Sequence, residues 1–238
     1  MRRAFAGTLL LASAVVNAAP AQHQGVSPAW AHPVPRDTVL AATPTACGWV
    51  GSGGDTATNA RKNRVDRAAT YHRVAFDSLA RLPYPAHHAK SRLAWPAPAR
   101  DSLARYEGAA LQVTGFLAGL KVEAGGGGET ANCHLADSAH VDWHIWLVGR
   151  PGDPKAAAVV VETTPRVRRA HPRWTPARLA PAIAQQDSVR ISGWLMFDPE
   201  HAEQLGGTHP TRTTLWEIHP VLRIDVFRAG RWVPLDSL

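Results

Sequence analysis

The chain has 238 residues, of which 45% are hydrophobic and 19% charged, so it can bury a full core and is not expected to be disordered as a whole. Its formal net charge of +7 makes a polyanionic partner one hypothesis. Only four of the 26 basic residues are lysine, however, and GC-rich coding alone produces such a bias toward arginine.

The N-terminus has the features of a secretion signal. Arg2 and Arg3 precede an apolar run over residues 4–16, which is too short to span a bilayer. Small residues follow, with cleavage sites after Ala18 or Ala21. We therefore predict a signal peptide of the general secretory type over residues 1–21, no later membrane span, and a periplasmic or extracellular protein.

The next two segments show little strand character. Residues 22–46 are rich in Ala, Pro, Thr and His and are predicted to be a flexible linker. Residues 47–105 are predicted to form an N-terminal extension with three short helices, interrupted by prolines. These helices are expected near residues 59–64, 76–81 and 99–106. The glycine-rich stretch after Cys47 follows no strand and precedes no Gly-Lys-Ser/Thr, so it is interpreted as a turn-rich loop.

The sequence contains two cysteines, Cys47 and Cys133. In an exported protein an even number of cysteines favours a disulfide, which here would tie the extension to the remainder of the chain. The alternative is that Cys133 is a free thiol or a metal ligand beside His134.

Residues 106–238 are predicted to form a β domain, because apolar and polar side chains alternate strictly over several segments. A single helix is expected between the third and fourth strands, an arrangement typical of the five-stranded OB-type barrel. Gly115 and Gly193 suit the bends of so small a barrel. The fold class is thus mainly β, with predicted strands over 111–122, 142–148, 157–163, 189–197 and 215–227 and the helix over 176–186.

Five motifs carry a resemblance to known proteins. They are Glu129–Cys133, Asp142–Ile145, Val161–Arg166, Gly193–His201 and Trp216–Pro220. With these motifs the sequence resembles exported bacterial proteins of uncharacterised function, over residues 47–235. The resemblance implies an exported protein with this N-terminal extension. It does not indicate any particular activity. The predicted architecture also resembles that of OB-fold nucleic-acid binders, which does not determine function.

One group of predicted outward-facing residues is suited to metal binding. In an OB barrel the third strand lies between the second and the fifth, and positions i and i+2 of a strand are about 6.6 Å apart. Two histidines and up to three carboxylates could therefore converge and bind zinc or manganese. The alternative is a set of cross-strand polar pairs. The residues are Asp142, His144, Glu162, Glu217 and His219, with His201 able to join from the loop after the fourth strand. His140 would lie roughly 13 Å from His144 and is the weakest member.

A second group is basic and follows the third strand. Arginine clamps phosphates and tryptophan offers a stacking plane for bases, so this group could line a ligand groove. The alternative is a solvated arginine-rich loop. The predicted ligand-binding residues are Arg166, Arg168, Arg169, Arg173, Trp146, Trp174 and Trp194, with His171 and Arg178 nearby.

Motifs of the common hydrolases and redox enzymes are missing from the sequence, including Cys-x-x-Cys, His-Glu-x-x-His and Gly-x-Ser-x-Gly. We therefore predict a secreted binding module without a cofactor and not an enzyme, with a polyanionic or extended ligand and single-stranded nucleic acid as the first choice. The second hypothesis is a metal-dependent hydrolase of the phosphodiesterase kind. The third is an envelope interaction domain whose extension docks on a partner.

Overall fold

A computed structural model describes residues 47–85, 90–125 and 128–238. The predicted signal peptide and linker lie outside these residues. Within them, no helix has the length and apolar character needed to cross a membrane.

The extension consists of short helices and one short strand. Helix α1 begins after Asp55, whose side chain accepts hydrogen bonds from the N–H groups of Ala57 and Thr58 and so caps the helix. The three predicted helices are present with shifted ends, whereas the strand was missed because three residues carry no readable alternation. The elements are α1 (Thr56–Lys62), β1 (His72–Val74), α2 (Phe76–Ala80) and α3 (Ala97–Ala104).

The remainder of the chain forms the predicted barrel. Its five main strands are β2 (Ala110–Val122), β3 (Trp143–Val148), β4 (Val159–Thr163), β5 (Val189–Phe197) and β6 (Trp216–Arg228). A short helix α4 (Pro165–Arg168) and the predicted helix α5 (Pro176–Gln185) connect β4 to β5, and a short strand β7 (Arg231–Pro234) follows β6. Thr175 caps α5, and Pro176 occupies its first turn, where no N–H donor is needed.

The strand pairing closes the barrel in the OB order. β2 pairs antiparallel with both β3 and β5, β3 with β4, and β5 with β6, while β4 runs parallel to β6. This confirms the predicted fold class and places β4 between β3 and β6. The two short strands lie at the edges, where β1 pairs with β2 and β7 with β6.

Inward-facing apolar side chains fill the barrel, as the alternation predicted. They include Val113, Leu117, Ile145, Leu147, Val161, Ile191 and Ile224. Gly193 is required where β5 passes β6, because a Cβ atom there would collide with the carbonyl oxygen of Pro220. Leu79, Trp95 and Leu103 of the extension join the same core, so the extension packs against the barrel.

The predicted disulfide between Cys47 and Cys133 is confirmed, with Cα atoms 5.8 Å apart. It joins residues separated by 86 positions and fixes the start of the extension to the segment between β2 and β3. The start of the extension, with α1, is thereby held near the segment between β2 and β3 and near β6.

Candidate metal centre

Three neighbouring strands bring histidines and carboxylates to one outer face of the barrel. His144 on β3 pairs directly with Glu162 on β4, and β4 pairs with β6 at Ile218. Because side chains alternate along a strand, Glu217 and His219, which flank Ile218, point away from the barrel interior. Their convergence with His144 and Glu162 is the arrangement that the alternation predicted.

Three segments cover this face and exclude most solvent. They are α1, which inserts Lys62, the segment between β2 and β3, and the segment that follows β5. Glu162 is 0% exposed, His219 1% and His144 6%. Ionisable groups buried to this degree require compensating partners, because an isolated charge is costly to remove from water.

The first group of potential ligands comprises Glu129, His144 and Glu162, whose ligand atoms all lie within 4.8 Å of one another. His144 Nε2 is 2.9 Å from Glu162 Oε1 and 3.9 Å from Glu129 Oε1, while its Nδ1 is 3.1 Å from Glu123 Oε1. The side chains of Glu123 and Glu129 are 24% and 27% exposed. This group therefore lies on the side of the cluster that is open to solvent.

The second group comprises Asp142, Glu162 and His219, and it is buried throughout. His219 Nε2 lies 3.4 Å from Asp142 Oδ2, and its Nδ1 lies 3.4 Å from Glu162 Oε2. Asn132 Nδ2 donates a hydrogen bond of 3.0 Å to Asp142 Oδ1 and thus orients that carboxylate. Glu162 belongs to both groups.

The third group comprises Asp198, His201 and Glu217. Its two carboxylates already form ion pairs with a lysine and an arginine of the chain. Lys62 Nζ lies 3.3 Å from Asp198 Oδ2, and Arg212 Nη1 lies 2.5 Å from Glu217 Oε1. His201 Nδ1 also lies 3.2 Å from Asp198 Oδ2. The carboxylates of this group are consequently neutralised by the protein itself.

Several buried atoms of the first two groups lack a hydrogen bond. Among the described residues, they are Asp142 Oδ2, His144 Nε2, both carboxylate oxygens of Glu162, and His219 Nε2. The short distances between them do not have the alignment of hydrogen bonds. Buried polar atoms are nearly always satisfied, so five unsatisfied atoms that face one another mark a place where a water or a cation would fit.

The ionisation of the cluster reflects an excess of negative charge. Burial acts to lower the pKa of His144, but Glu162 and Glu123 outweigh it and raise the pKa to about 9. Burial likewise opposes the charged form of His219, yet Glu162 and Asp142 hold its pKa well above the usual value. The pKa of Glu129 is raised by burial and, against the effect of Lys62, by neighbouring carboxylates.

All six predicted metal-binding residues take part in this cluster, whereas His140 lies apart and contacts Asp137 at 2.8 Å. The sequence did not single out Glu129 and Asp198 as potential ligands, or Lys62 as the cation that pairs with both. Both acids stand in segments with no periodicity. Their only signal was their place in the motifs Glu129–Cys133 and Gly193–His201.

The predicted basic residues nearest the extension hold the fold together. Arg166 is buried, and its Nη2 donates a hydrogen bond of 2.7 Å to the Gly48 carbonyl oxygen. Arg168 donates to the carbonyl oxygens of Thr163 and Val141, both at 2.6 Å. Burial lowers the pKa of Arg168 to about 10. Both side chains therefore bind backbone groups of this chain.

The remaining members of the basic group lie near the C-terminus. Arg169 and Arg173 are exposed, and Arg173 donates a hydrogen bond of 3.1 Å to the Leu238 carbonyl oxygen. Trp174 is only 4% exposed, and the His171 ring stacks on it with centroids 4.2 Å apart. A face of the Trp174 ring is thus covered by a side chain of the same loop.

The two other predicted tryptophans are covered by cations of the chain. Lys155 Nζ lies 3.6 Å from the ring centroid of Trp146, and the Arg64 guanidinium lies 3.5 Å from that of Trp194. Their exposed fractions are 8% and 9%. A role for these residues in ligand binding stays a prediction.

No protein-family profile matches this sequence, and no curated protein matches it. A solved structure described as the OBody AM2EP06 bound to hen egg-white lysozyme is similar at 22% sequence identity. The similarity covers 51% of this chain and 82% of that chain, with a TM-score of 0.26. A likeness this weak carries no argument about function.

Proposed function

We propose that this protein binds a divalent metal ion through Glu129, His144 and Glu162. The observation that carries the proposal is the set of buried, mutually facing and unsatisfied atoms around His144 Nε2 and the Glu162 carboxylate. A cation among these atoms would satisfy the imidazole nitrogen and the carboxylate oxygens together. It would also offset the negative charge that raises the pKa of His144.

The ligand types point to zinc or manganese. Imidazole nitrogen and carboxylate oxygen suit both ions, and no thiolate is available because Cys47 and Cys133 are joined. Three protein ligands with one side toward solvent are typical of catalytic zinc sites, in which the fourth position holds water. The partly exposed carboxylate of Glu129 lies on that side.

This open side favours a metal-dependent hydrolase as the second candidate function. A bound divalent ion lowers the pKa of its water and supplies hydroxide near neutral pH. Glu123 Oε1 lies 3.1 Å from His144 Nδ1 and would hold the imidazole with its Nε2 toward such an ion. Hydrolysis of an activated phosphodiester by the metal-loaded protein, absent in His144→Ala, would support this candidate, and no turnover would remove it.

Binding of single-stranded nucleic acid and docking of an envelope partner stay predictions. The net charge of +7 supports the first of them. The contacts of Arg166, Arg168 and Trp174 within the fold add no support. Salt-dependent binding of a labelled oligonucleotide would test it, since release of counterions makes such binding weaken steeply with salt.

Elemental analysis by mass spectrometry tests the metal proposal. The protein is prepared without a metal-affinity tag, incubated with zinc or manganese, and freed of excess ion. We expect bound metal in the native protein and in His140→Ala, a matched histidine outside the cluster, and a large loss in His144→Ala. Absence of bound metal in the native protein, or equal retention in His144→Ala, would refute the proposal.

A further inference from the structure

Glu162 holds an unusual position between the two histidines of the cluster. Its Oε1 lies 2.9 Å from His144 Nε2, and its Oε2 lies 3.4 Å from His219 Nδ1. The carboxylate is 0% exposed, and neither oxygen accepts a hydrogen bond. Its two oxygens thus face two different imidazoles.

Each oxygen of Glu162 belongs to a separate set of potential ligands. Glu129 and His144 complete one set, and Asp142 and His219 complete the other. Each set contains one imidazole and two carboxylates, so the two sets have the same composition. A carboxylate shared in this manner is the usual bridge in a two-metal site, where the ions lie about 3.5–4 Å apart.

We propose that the cluster is a two-metal site in which the Glu162 carboxylate bridges one ion held with Glu129 and His144 and a second held with Asp142 and His219. The proposal rests on the metal binding proposed above and adds the second ion. Each of the five unsatisfied atoms of the cluster then gains a cation as partner.

The distribution of permanent cations argues against a third ion at Asp198, His201 and Glu217, although Lys62 also pairs with Glu129 through Oε2 at 3.2 Å. The oxygens of Asp198 are served by Lys62, His201 and the N–H of Glu200, which leaves the third group without a vacancy. Glu162, by contrast, has no Lys or Arg within ion-pair distance among the described residues. Its partners there are the two imidazoles.

The two ions would differ in their access to solvent. The first is held partly by Glu129, whose side chain is 27% exposed, while the second is enclosed by Asp142, Glu162 and His219, which are at most 1% exposed. The outer ion would therefore exchange faster and present water to a substrate. The inner ion would hold the bridge in place and add positive charge next to the outer one.

Titration of the metal-stripped full chain with Mn²⁺ tests the second ion, followed by equilibrium dialysis and electron paramagnetic resonance. We expect two equivalents per chain and a spectrum of two exchange-coupled ions. One equivalent with the spectrum of an isolated ion would overturn the two-metal proposal and leave the proposed function intact. No bound manganese or zinc would overturn both.

Variants of the inner ligands provide the matched test. His219→Ala should bind one equivalent and lose the coupled spectrum, and Asp142→Asn serves the same purpose if the first variant does not fold. His140→Ala should retain two equivalents, since this histidine pairs with Asp137 and belongs to neither set of potential ligands. Two coupled ions in a folded His219→Ala variant would overturn the assignment of the inner site.

Discussion

Among the described residues, the buried charge clusters around Glu107 and around Glu162 are built in opposite ways. Arg92 and Glu107 form a two-pronged ion pair, with distances of 2.5 and 2.6 Å, and the Phe197 N–H adds a hydrogen bond to Glu107 at 2.9 Å. Arg61 lies 3.0 Å from the same carboxylate. Glu162 is equally buried, yet neither of its oxygens accepts a hydrogen bond.

We propose that this difference separates a structural cluster, around Glu107, from a metal-binding one, around Glu162. Around Glu107 the cations are arginines, which keep their charge at every relevant pH. The carboxylate therefore always has its charged partners, and the ion pairs stabilise the fold. Around Glu162 the cations are imidazoles, which lose a proton when a metal binds. The first cluster should therefore govern stability, and the second should govern ligand binding.

Glu107→Gln should produce the largest loss of stability. The substitution leaves Arg92 buried without its counter-charge, and breaking one side of a buried pair costs about 3 kcal/mol or more. Urea unfolding followed by circular dichroism measures the effect. A decrease of the unfolding free energy by less than about 1 kcal/mol would mean that the Arg92–Glu107 ion pair contributes little to stability.

Glu162→Gln should instead act on metal binding. Removing a charged ligand should weaken zinc affinity by about 100-fold or more, because changes even in the outer shell of metal sites cost 10–100-fold. Calorimetric titration with zinc measures the affinity of this variant and of Glu107→Gln. Glu107→Gln serves as the control, because it should bind zinc normally once folded. Equal zinc affinity in the two variants would erase the proposed difference between the clusters.

Zinc should stabilise the native protein but not Glu162→Gln. Binding to the folded state alone adds about 2.7 kcal/mol at a free ligand concentration 100 times the dissociation constant. Thermal unfolding with and without zinc measures the gain. A gain of similar size in both proteins would place the responsible metal elsewhere.

Acid should remove the contribution of Glu107. Burial acts to raise its pKa, but Arg92 and Arg61 outweigh burial and hold the pKa below the usual value. Its stabilising effect is thus complete above the unfolded-state pKa of about 4.3 and is lost as the pH falls through the folded-state pKa. The stability difference between native protein and Glu107→Gln should narrow below about pH 4. A constant difference down to pH 2 would contradict this origin.

Asp77→Asn provides the smallest expected effect. Asp77 pairs with Arg81 at 3.4 Å on the surface of α2, where both side chains are more than half exposed. Solvent screening leaves such pairs worth less than about 0.5 kcal/mol. A loss of unfolding free energy above about 0.5 kcal/mol would show that this ion pair stabilises the protein more than its exposure to solvent predicts.

The sequence predicts the strand-borne half of the candidate site well. Alternation assigns Ile145 and Val161 to the core and His144 and Glu162 to the outer face, and the OB strand order makes β4 the neighbour of β3 and β6. Periodicity and topology together therefore suffice to bring these residues near one another.

The other half of the site depends on how irregular segments dock. Lys62 reaches the cluster only because α1 packs over the barrel, and Glu129 is placed by a segment joined to the extension through Cys133. Neither feature has a period that a sequence reveals. The sequence likewise did not predict that Trp174 stacks with His171, because this contact depends on the conformation of one loop.

A crystal structure of the zinc-saturated protein, with anomalous diffraction recorded at the zinc absorption edge, tests the proposed metal site most directly. We expect an anomalous peak between Glu129, His144 and Glu162, about 2.0–2.1 Å from His144 Nε2. A saturated crystal with no peak there, and with His144 Nε2 still in direct contact with Glu162, would contradict the proposal.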